Sequence, residues 1–377
     1  MRATKAIIHL DRFCRNLRMI QNKVGAETLI CAPVKADAYG HGALQVARAA
    51  IAAGARYLAV ATIQEGTELR EAGIKAPILV LSLPLPEELP DLVTQRLIPL
   101  VGDREFAEAA AQVATQMGAR LGVHLKIDTG MGRVGCRPEE AADLAAFITS
   151  RNALEYQGTA THLAVADSVA AEEQDYTKKQ LTRFREAVQA IKDAGIDPGI
   201  VHAANSGAVL FHEDSYFNMI RPGILLYGYA PTLEPVLTLP VEPVMELTTR
   251  IVFIKEVQKG ETVSYGRTWI APQDTIIATI PVGYGDGLPR GLSGNYSVLI
   301  NDQWYPLVGR ICMDQCMIDL GAAPVVRRWE QVTVFGAKAQ SAAVIAQKLH
   351  TIPYEITCNI NKRVPRVYTG NEAFYHS

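Results

Sequence analysis

The sequence predicts an α/β protein: an N-terminal (β/α)8 barrel of the TIM type followed by a mostly β C-terminal domain. Two observations carry the barrel. Eight short apolar runs of similar spacing lie between residues 29 and 224. Stretches rich in Ala, Glu, Gln and Lys separate most of them. Eight strands joined by helical crossovers are what a closed barrel of this type requires. A doubly wound open sheet is the alternative, and the near-equal units favour closure. A third observation marks the second domain. After Tyr229 the character changes: four prolines fall within residues 230–243, and short β-branched runs follow.

The first expected element is a helix over 10–23, which should plug or flank the barrel. Strands are predicted over 29–35, 57–62, 78–82, 97–101, 121–128, 156–162, 200–206 and 217–221. An Ala-rich helix follows the first of them, over 43–55, and longer helical patterns occupy 104–117 and 171–194. The barrel domain is therefore read as residues 1–232 and the β domain as 233–377, with 230–243 as linker. In the second domain 248–257, 275–281, 296–301 and 332–335 read as strands, and 342–350 as the main helix. A chain of 377 residues has room for both parts.

Composition narrows the function. With 49% hydrophobic residues, 20% charged residues and a net charge of −2, the chain offers no electrostatic case for nucleic acid or an anionic membrane. No apolar run approaches the roughly 20 residues that span a bilayer. The N-terminal residues carry scattered charges and lack the apolar core of a signal peptide. Six cysteines are sparse, none lies in a CxxC pair, and no cluster has metal-ligand spacing. They read as reduced thiols of a cytoplasmic protein that needs no metal.

Polar residues collect at the predicted carboxyl ends of the strands. Lys35 ends the first, in the run APVKADAYGHG (32–42). A lysine there, beside Tyr39 and a glycine-rich turn, suits a Schiff base with pyridoxal phosphate, although a surface lysine is the commoner occupant of such a loop. Lys126 and Asp128 end the fifth strand, His162 the sixth, Asn205 and Ser206 the seventh, and Arg221 the eighth. Carboxyl ends share one mouth in a closed barrel, with a common phosphate site after strands seven and eight. Ser206-Gly207 and Gly223-Ile224 lie at that place, offering a hydroxyl and close backbone N–H groups.

Eight motifs in order make the chain resemble the bacterial alanine racemase family. They are PVKADAYGHG (33–42), KIDTGMGRVG (126–135), THLAVAD (161–167), NSGA (205–208), RPGILLYG (221–228), SYGRTW (264–269), GYGDGLPR (283–290) and GRICMDQ (309–315). The similarity continues to IPYEITCNI near the C-terminus. It implies a pyridoxal-phosphate-dependent isomerase that interconverts L-alanine and D-alanine for peptidoglycan synthesis, acting as a homodimer with shared active sites. Lys35 would hold the cofactor and act as the base on one face of the substrate. Tyr265 would be the opposite base, reaching in from the partner subunit. Arg133 would contact the cofactor and the substrate carboxylate, which the backbone of Met313 would also bind. Tyr39, Ser206, Gly223, Ile224 and Tyr354 would hold the phosphate. His162 would pack on the pyridine ring, and Arg221 would bond its nitrogen. Lys126 matches a lysine that is carbamylated in many relatives; pairing with Asp128 is the plainer alternative. A serine or broad-specificity racemase of the same fold is the rival activity. A non-catalytic cofactor-binding homeostasis protein resembles the barrel alone, so Tyr265 and Met313 argue against it.

The implied roles agree with elementary chemistry. Inversion at Cα takes a proton from one face and delivers one to the other, hence two bases. A free tyrosine titrates at about 10, so a tyrosine base needs cations or hydrogen bonds nearby, and a His162–Arg221 network is the expected source. An arginine at the ring nitrogen does not readily give up a proton, which should limit side transamination. Gly130, Gly132 and Gly135 spell GxGxxG, the dinucleotide fingerprint, but they follow the fifth strand and enclose Arg133. With Pro138 starting the next helix, they read as a loop that brings Arg133 to the mouth. Two departures from the family pattern, Leu163 and Val165, adjoin His162.

Overall fold

Most strands of the first half are buried on both faces, the pattern of a parallel sheet covered by helices. In the computed structural model, which describes residues 2–232 and 239–370, they close into an eight-stranded barrel. Its strands are Leu29–Pro33, Tyr57–Val60, Ile78–Val80, Ile98–Val101, Leu121–Lys126, Leu154–Ala160, Ile200–His202 and Met219–Ile220. All pair in parallel, and Leu29 and Ile30 meet Met219 and Ile220 to complete the ring. Part of the interior is packed by Cys31, Ala59, Leu79, Ile98 and Met219. On the strands Leu121–Lys126 and Ile200–His202 the filling turns polar, with His124, Lys126 and His202 buried. The strands stop earlier than the sequence suggests, so Lys35, Asp128, His162 and Arg221 stand just past their ends. That frees the side chains of Lys35, His162 and Arg221 to serve the mouth.

Helices Ala43–Ala52, Ile63–Glu71, Arg104–Gln116, Ala141–Thr149 and Ala171–Asp193 are among those that coat the ring. Their starts follow capping rules: Thr62 and Glu65 form a reciprocal capping box, and Asp103 accepts from the Phe106 N–H. The helix Leu10–Val24 flanks the barrel, its buried Phe13, Leu17 and Ile20 facing inward beside Ala43–Ala52. Its buried Asn16 amide donates to the Leu226 carbonyl (3.0 Å) and the Glu242 carbonyl (2.9 Å). Of the expected linker 230–243, residues 233–238 lie outside the described residues.

The second half builds a nine-stranded sheet. The run expected as one strand over 248–257 is two, Met245–Arg250 and Phe253–Val257. The chain turns a corner between them, where Ile251 N–H bonds Glu330 and Val252 N–H bonds Thr279. A strand missed in the sequence, Lys5–His9, joins this sheet, antiparallel to Met245–Arg250 and parallel to Arg366–Thr369. Its Ala6 and Ile8 point into the core, a five-residue signal too short to stand out beside the following helix. Among the described residues no helix is long and apolar enough to cross a membrane.

Candidate active site

A cavity of about 390 Å3 opens at the carboxyl ends of the barrel strands. Lys35, Tyr39, Lys126, Arg133, His162, Ser206, Arg221, Gly223 and Tyr354 all line it. Nine residues scattered over 320 positions of sequence thus share one mouth, which is what the strand-end argument requires.

Lys35 enters from an unusual turn. The strand ends at Pro33, and Ala36, Asp37, Ala38 and Tyr39 then take φ values of 52–54°. Left-handed backbone costs about 1–2 kcal/mol per residue with a side chain. A dense bond set offsets it. Ala38 N–H bonds the Val34 carbonyl (2.8 Å) and Gly40 N–H the Ala36 carbonyl (2.9 Å). Glu65 accepts from Ala36 N–H (2.7 Å), and Asp37 accepts from Ala43 N–H (2.7 Å). The second domain presses on the same loop: a Cβ at Gly40 would sit 2.1 Å from the Thr357 carbonyl oxygen. Burial and the nearby Arg133 hold the Lys35 ammonium below the usual lysine range, with Glu65 opposing. A depressed amine of this kind is the form that reacts with a carbonyl.

Tyr39 is buried and its ring stands 5.8 Å from that of Tyr354. Tyr354 bonds the Ser206 hydroxyl, which also accepts from Leu225 N–H at 3.3 Å. A Cβ at Gly223 would lie 2.8 Å from the Tyr39 hydroxyl and 3.8 Å from Ser206 Oγ. The missing side chain therefore leaves a pocket between hydroxyls. The Ile224 side chain is fully buried and away from the cavity lining, so only its backbone is available there.

Arg221 crosses the cavity floor. Its Nη2 donates to the carbonyls of Thr161 (2.8 Å) and Ala203 (3.1 Å) and makes a long 3.4 Å contact with His162 Nδ1. Its Nη1 meets His202 Nδ1 at 2.5 Å, and His202 Nε2 meets His124 Nδ1 at 2.8 Å. Burial lowers the Arg221 guanidinium to about 10, which leaves it charged at neutral pH. Burial, and then Arg221, push His162 and His202 well below the usual imidazole range.

Asp128 does not pair with Lys126. One of its oxygens accepts from the N–H groups of Gly130 (2.9 Å), Met131 (2.8 Å) and Gly132 (3.1 Å), the other from Arg133 N–H (3.1 Å). The glycines thus form a loop that carries Arg133 to the cavity, and the next helical residues begin at Pro138. Lys126 is buried and donates to the Ile127 carbonyl at 3.0 Å. Burial, followed by Arg221, lowers it to about 8.

Tyr265 and Met313 stand apart. They are 71% and 53% exposed on the second domain and do not line this chain's own cavity. Residues that the sequence reading missed are Glu65, His124 and His202. Two of them left a trace: Glu65 completes the T-x-x-E capping signature, and His124 alternates with Lys126 along one strand, so both of those strand residues face the interior.

A family model for the alanine racemase N-terminal domain matches residues 8–231, and one for the C-terminal domain matches residues 244–368. The chain belongs to the alanine racemase family. That places it among the isomerases. The alanine racemase of Treponema denticola is 52% identical, with 98% of each chain covered. That of Treponema pallidum is 45% identical over 98% of this chain and all of its own. Among solved structures, the alanine racemase of Clostridium difficile superposes with a TM-score of 0.93 at 37% identity, covering 98% of this chain and 97% of that one. The racemase family fold accounts for the barrel and the β domain alike.

Proposed function

We propose that the protein interconverts L-alanine and D-alanine with pyridoxal phosphate as resident cofactor. It works as a cytoplasmic homodimer with shared sites and supplies D-alanine for peptidoglycan. One observation carries the reading: Lys35, Arg133 and Arg221 share the barrel cavity, while Tyr265 and Met313 project from the other domain of the same chain. A second copy of the chain completes each cavity with its own Tyr265 and Met313.

The cavity residues fit the cofactor. The space that a Cβ at Gly223 would fill, between the Tyr39 and Ser206 hydroxyls, suits a phosphate. Tyr354 and the backbone of Gly223 and Ile224 add further polar groups. Arg221 would hold the ring nitrogen as a donor, and His162 would pack against the ring. When bound, pyridoxal phosphate supplies a conjugated ring that acidifies the Cα–H of the amino acid joined to it.

Lys35, depressed by burial and Arg133, takes or returns the Cα proton on one face. The Tyr265 phenol does the same on the other. Arg133 and the Met313 N–H hold the substrate carboxylate, so both bases meet the same carbon. Arg221 is held at about 10 and remains a hydrogen-bond donor that keeps its proton at neutral pH. Lys126, held at about 8, has a neutral fraction that can add carbon dioxide, releasing a proton, and the resulting carbamate would orient Arg133.

The test is to incubate holoenzyme with L-alanine in D2O and follow Cα deuteration by NMR and chirality by chromatography. Deuterated D-alanine without pyruvate is the expected result. Deuteration without inversion would remove Tyr265 from its role. No exchange with alanine, but exchange with serine, would move the substrate assignment.

A further inference from the structure

Tyr265 sits at the tip of a short hairpin whose base pairs Thr262 with Ile270 and Val263 with Trp269. That base is anchored in a small core of Val257, Val263, Ala271, Ile277 and Val308. The residue before Tyr265 is Ser264, and its backbone adopts φ 70°, ψ −179°. This region of conformational space is essentially reserved for glycine, and side-chain-bearing residues found there cluster at functional sites. Three contacts hold it. The Ser264 hydroxyl donates to the Arg310 carbonyl at 2.7 Å. Its Oγ also lies 3.5 Å from Cys312 Sγ. Gly309 makes room from below, since a Cβ there would stand 2.7 Å from Ser264 Cβ and 2.6 Å from the Val263 carbonyl oxygen. Arg310 then covers the far side of the tip, its guanidinium 3.1 Å from where a Cβ on Gly266 would be.

These contacts join two separate segments. Ser264 leads directly into Tyr265, and Arg310 and Cys312 lead directly into Met313. Met313 is fastened from its own side as well: its carbonyl accepts from Gly285 N–H at 2.9 Å and from Arg363 Nη2 at 3.3 Å. We propose that Ser264 is a positioning residue, strained on purpose, that aims Tyr265 and locks it to the Met313 segment so that both enter the partner's cavity as one rigid unit. This rests on the function proposed above for Tyr265 and Met313.

The experiment compares holoenzymes carrying Ser264→Ala, Ser264→Gly and Tyr265→Ala with the wild type. At an ordinary position glycine is less stabilising than alanine. At Ser264 the order should invert, with the glycine variant melting at the higher temperature, because only glycine accepts this backbone without strain. Both Ser264 variants should lose about tenfold or more in kcat, with a raised KM for alanine, since one hydroxyl aligns both groups. Mixed with Lys35→Ala subunits, Ser264→Ala should regain activity, because the intact Lys35 then faces a partner with an intact Ser264. Random pairing gives roughly a quarter of the wild-type rate. Wild-type kinetics in Ser264→Ala, or an alanine variant that melts above the glycine variant, overturns the inference. So does exchange into hybrids without recovery. A Tyr265→Ala enzyme that racemises at the wild-type rate overturns the functional reading instead, and the positioning role with it. An inactive Tyr265→Ala beside an unaffected Ser264→Ala sinks the role of Ser264 alone.

Discussion

Arg221 Nη1 lies 2.5 Å from His202 Nδ1, and this one contact fixes the protons of a buried chain. A guanidinium only donates, so His202 Nδ1 must accept. The proton of His202 is then on Nε2, where it is donated to His124 Nδ1 at 2.8 Å. His124 in turn carries its proton on Nε2, a buried atom with no hydrogen-bond partner among the described residues. The chain therefore runs in one direction, and Arg221 cannot pass a proton down it while both imidazoles stay neutral.

His202→Ala removes the acceptor and leaves a buried Arg221 N–H unpaired. Such a loss costs about 1–3 kcal/mol, so racemisation should slow by roughly five- to a hundredfold. Pyruvate from side transamination should rise relative to D-alanine as the arginine tilts. Product chromatography measures both; an unchanged ratio would show that Arg221 does not depend on His202.

Asp128→Ala removes the acceptor of four N–H groups in the loop that carries Arg133. Charged hydrogen bonds contribute about 1.5–3 kcal/mol each when well shielded, and this partly buried carboxylate should contribute about 2 kcal/mol in all. The expected result is that loss in urea unfolding, with a KM for alanine raised about tenfold. Asp128→Asn should fall between the two, since one carbonyl oxygen can still serve three of the four donors.

Gly223→Ala places a methyl 2.8 Å from the Tyr39 hydroxyl, in the space assigned to phosphate. Cofactor affinity should drop by about tenfold or more while the melting temperature of the cofactor-free protein changes little. Absorbance titration with pyridoxal phosphate decides it, and wild-type affinity would relocate the phosphate site.

Stability should fall in mild acid. His41 is held at about 4 and His124 at about 3 by burial, and His162 and His202 are also well below the usual value. Unfolding returns each to about 6.5, so below that pH the unfolded chain binds more protons and the fold loses stability. Each neutral histidine contributes a slope of about 1.4 kcal/mol per pH unit between about 6 and 4.5. Denaturant unfolding across that window should give a reduced slope for His124→Asn; an identical slope would mean His124 is charged in the fold.

Lys126, held at about 8, should react with carbon dioxide more than two pH units earlier than an ordinary lysine, because only the neutral amine adds. A carbamate carbonyl signal is expected in 13C NMR with labelled bicarbonate, absent from Lys126→Ala. If the two spectra match, the lysine stays free.

The barrel was legible because its cue is repetitive: eight apolar runs at even spacing tolerate errors of two residues at every end. Lys35, His162 and Arg221 have ordinary structural uses when taken singly. They were legible because they close different apolar runs whose ends meet at one mouth and lie within motifs that occur in a fixed order. Glu65 and His202 were not. Glu65 caps its own helix locally through Ala61 N–H, but its bond to Ala36 N–H reaches the loop after the preceding strand, a pairing that only the packing of adjacent βα units creates. The strand Lys5–His9 was missed because its partners begin at Met245 and end at Thr369, too far along the chain for any local pattern to reveal. The corner at Ile251 was hidden because β-branched residues continue through it without a break.

That same strand constrains the order of assembly. Lys5–His9 is synthesised first, yet one neighbour arrives only with Met245 and the other only with Arg366–Thr369. The ring of eight strands can close on the ribosome while the sheet beside it still lacks its final member. The segment around Tyr265 is likewise made before that sheet is finished. Tyr354, which lines the cofactor cavity, is made later than Tyr265. The pocket and the sheet therefore both wait for the last stretch of chain to emerge, and a truncated product would own a closed ring without a finished site.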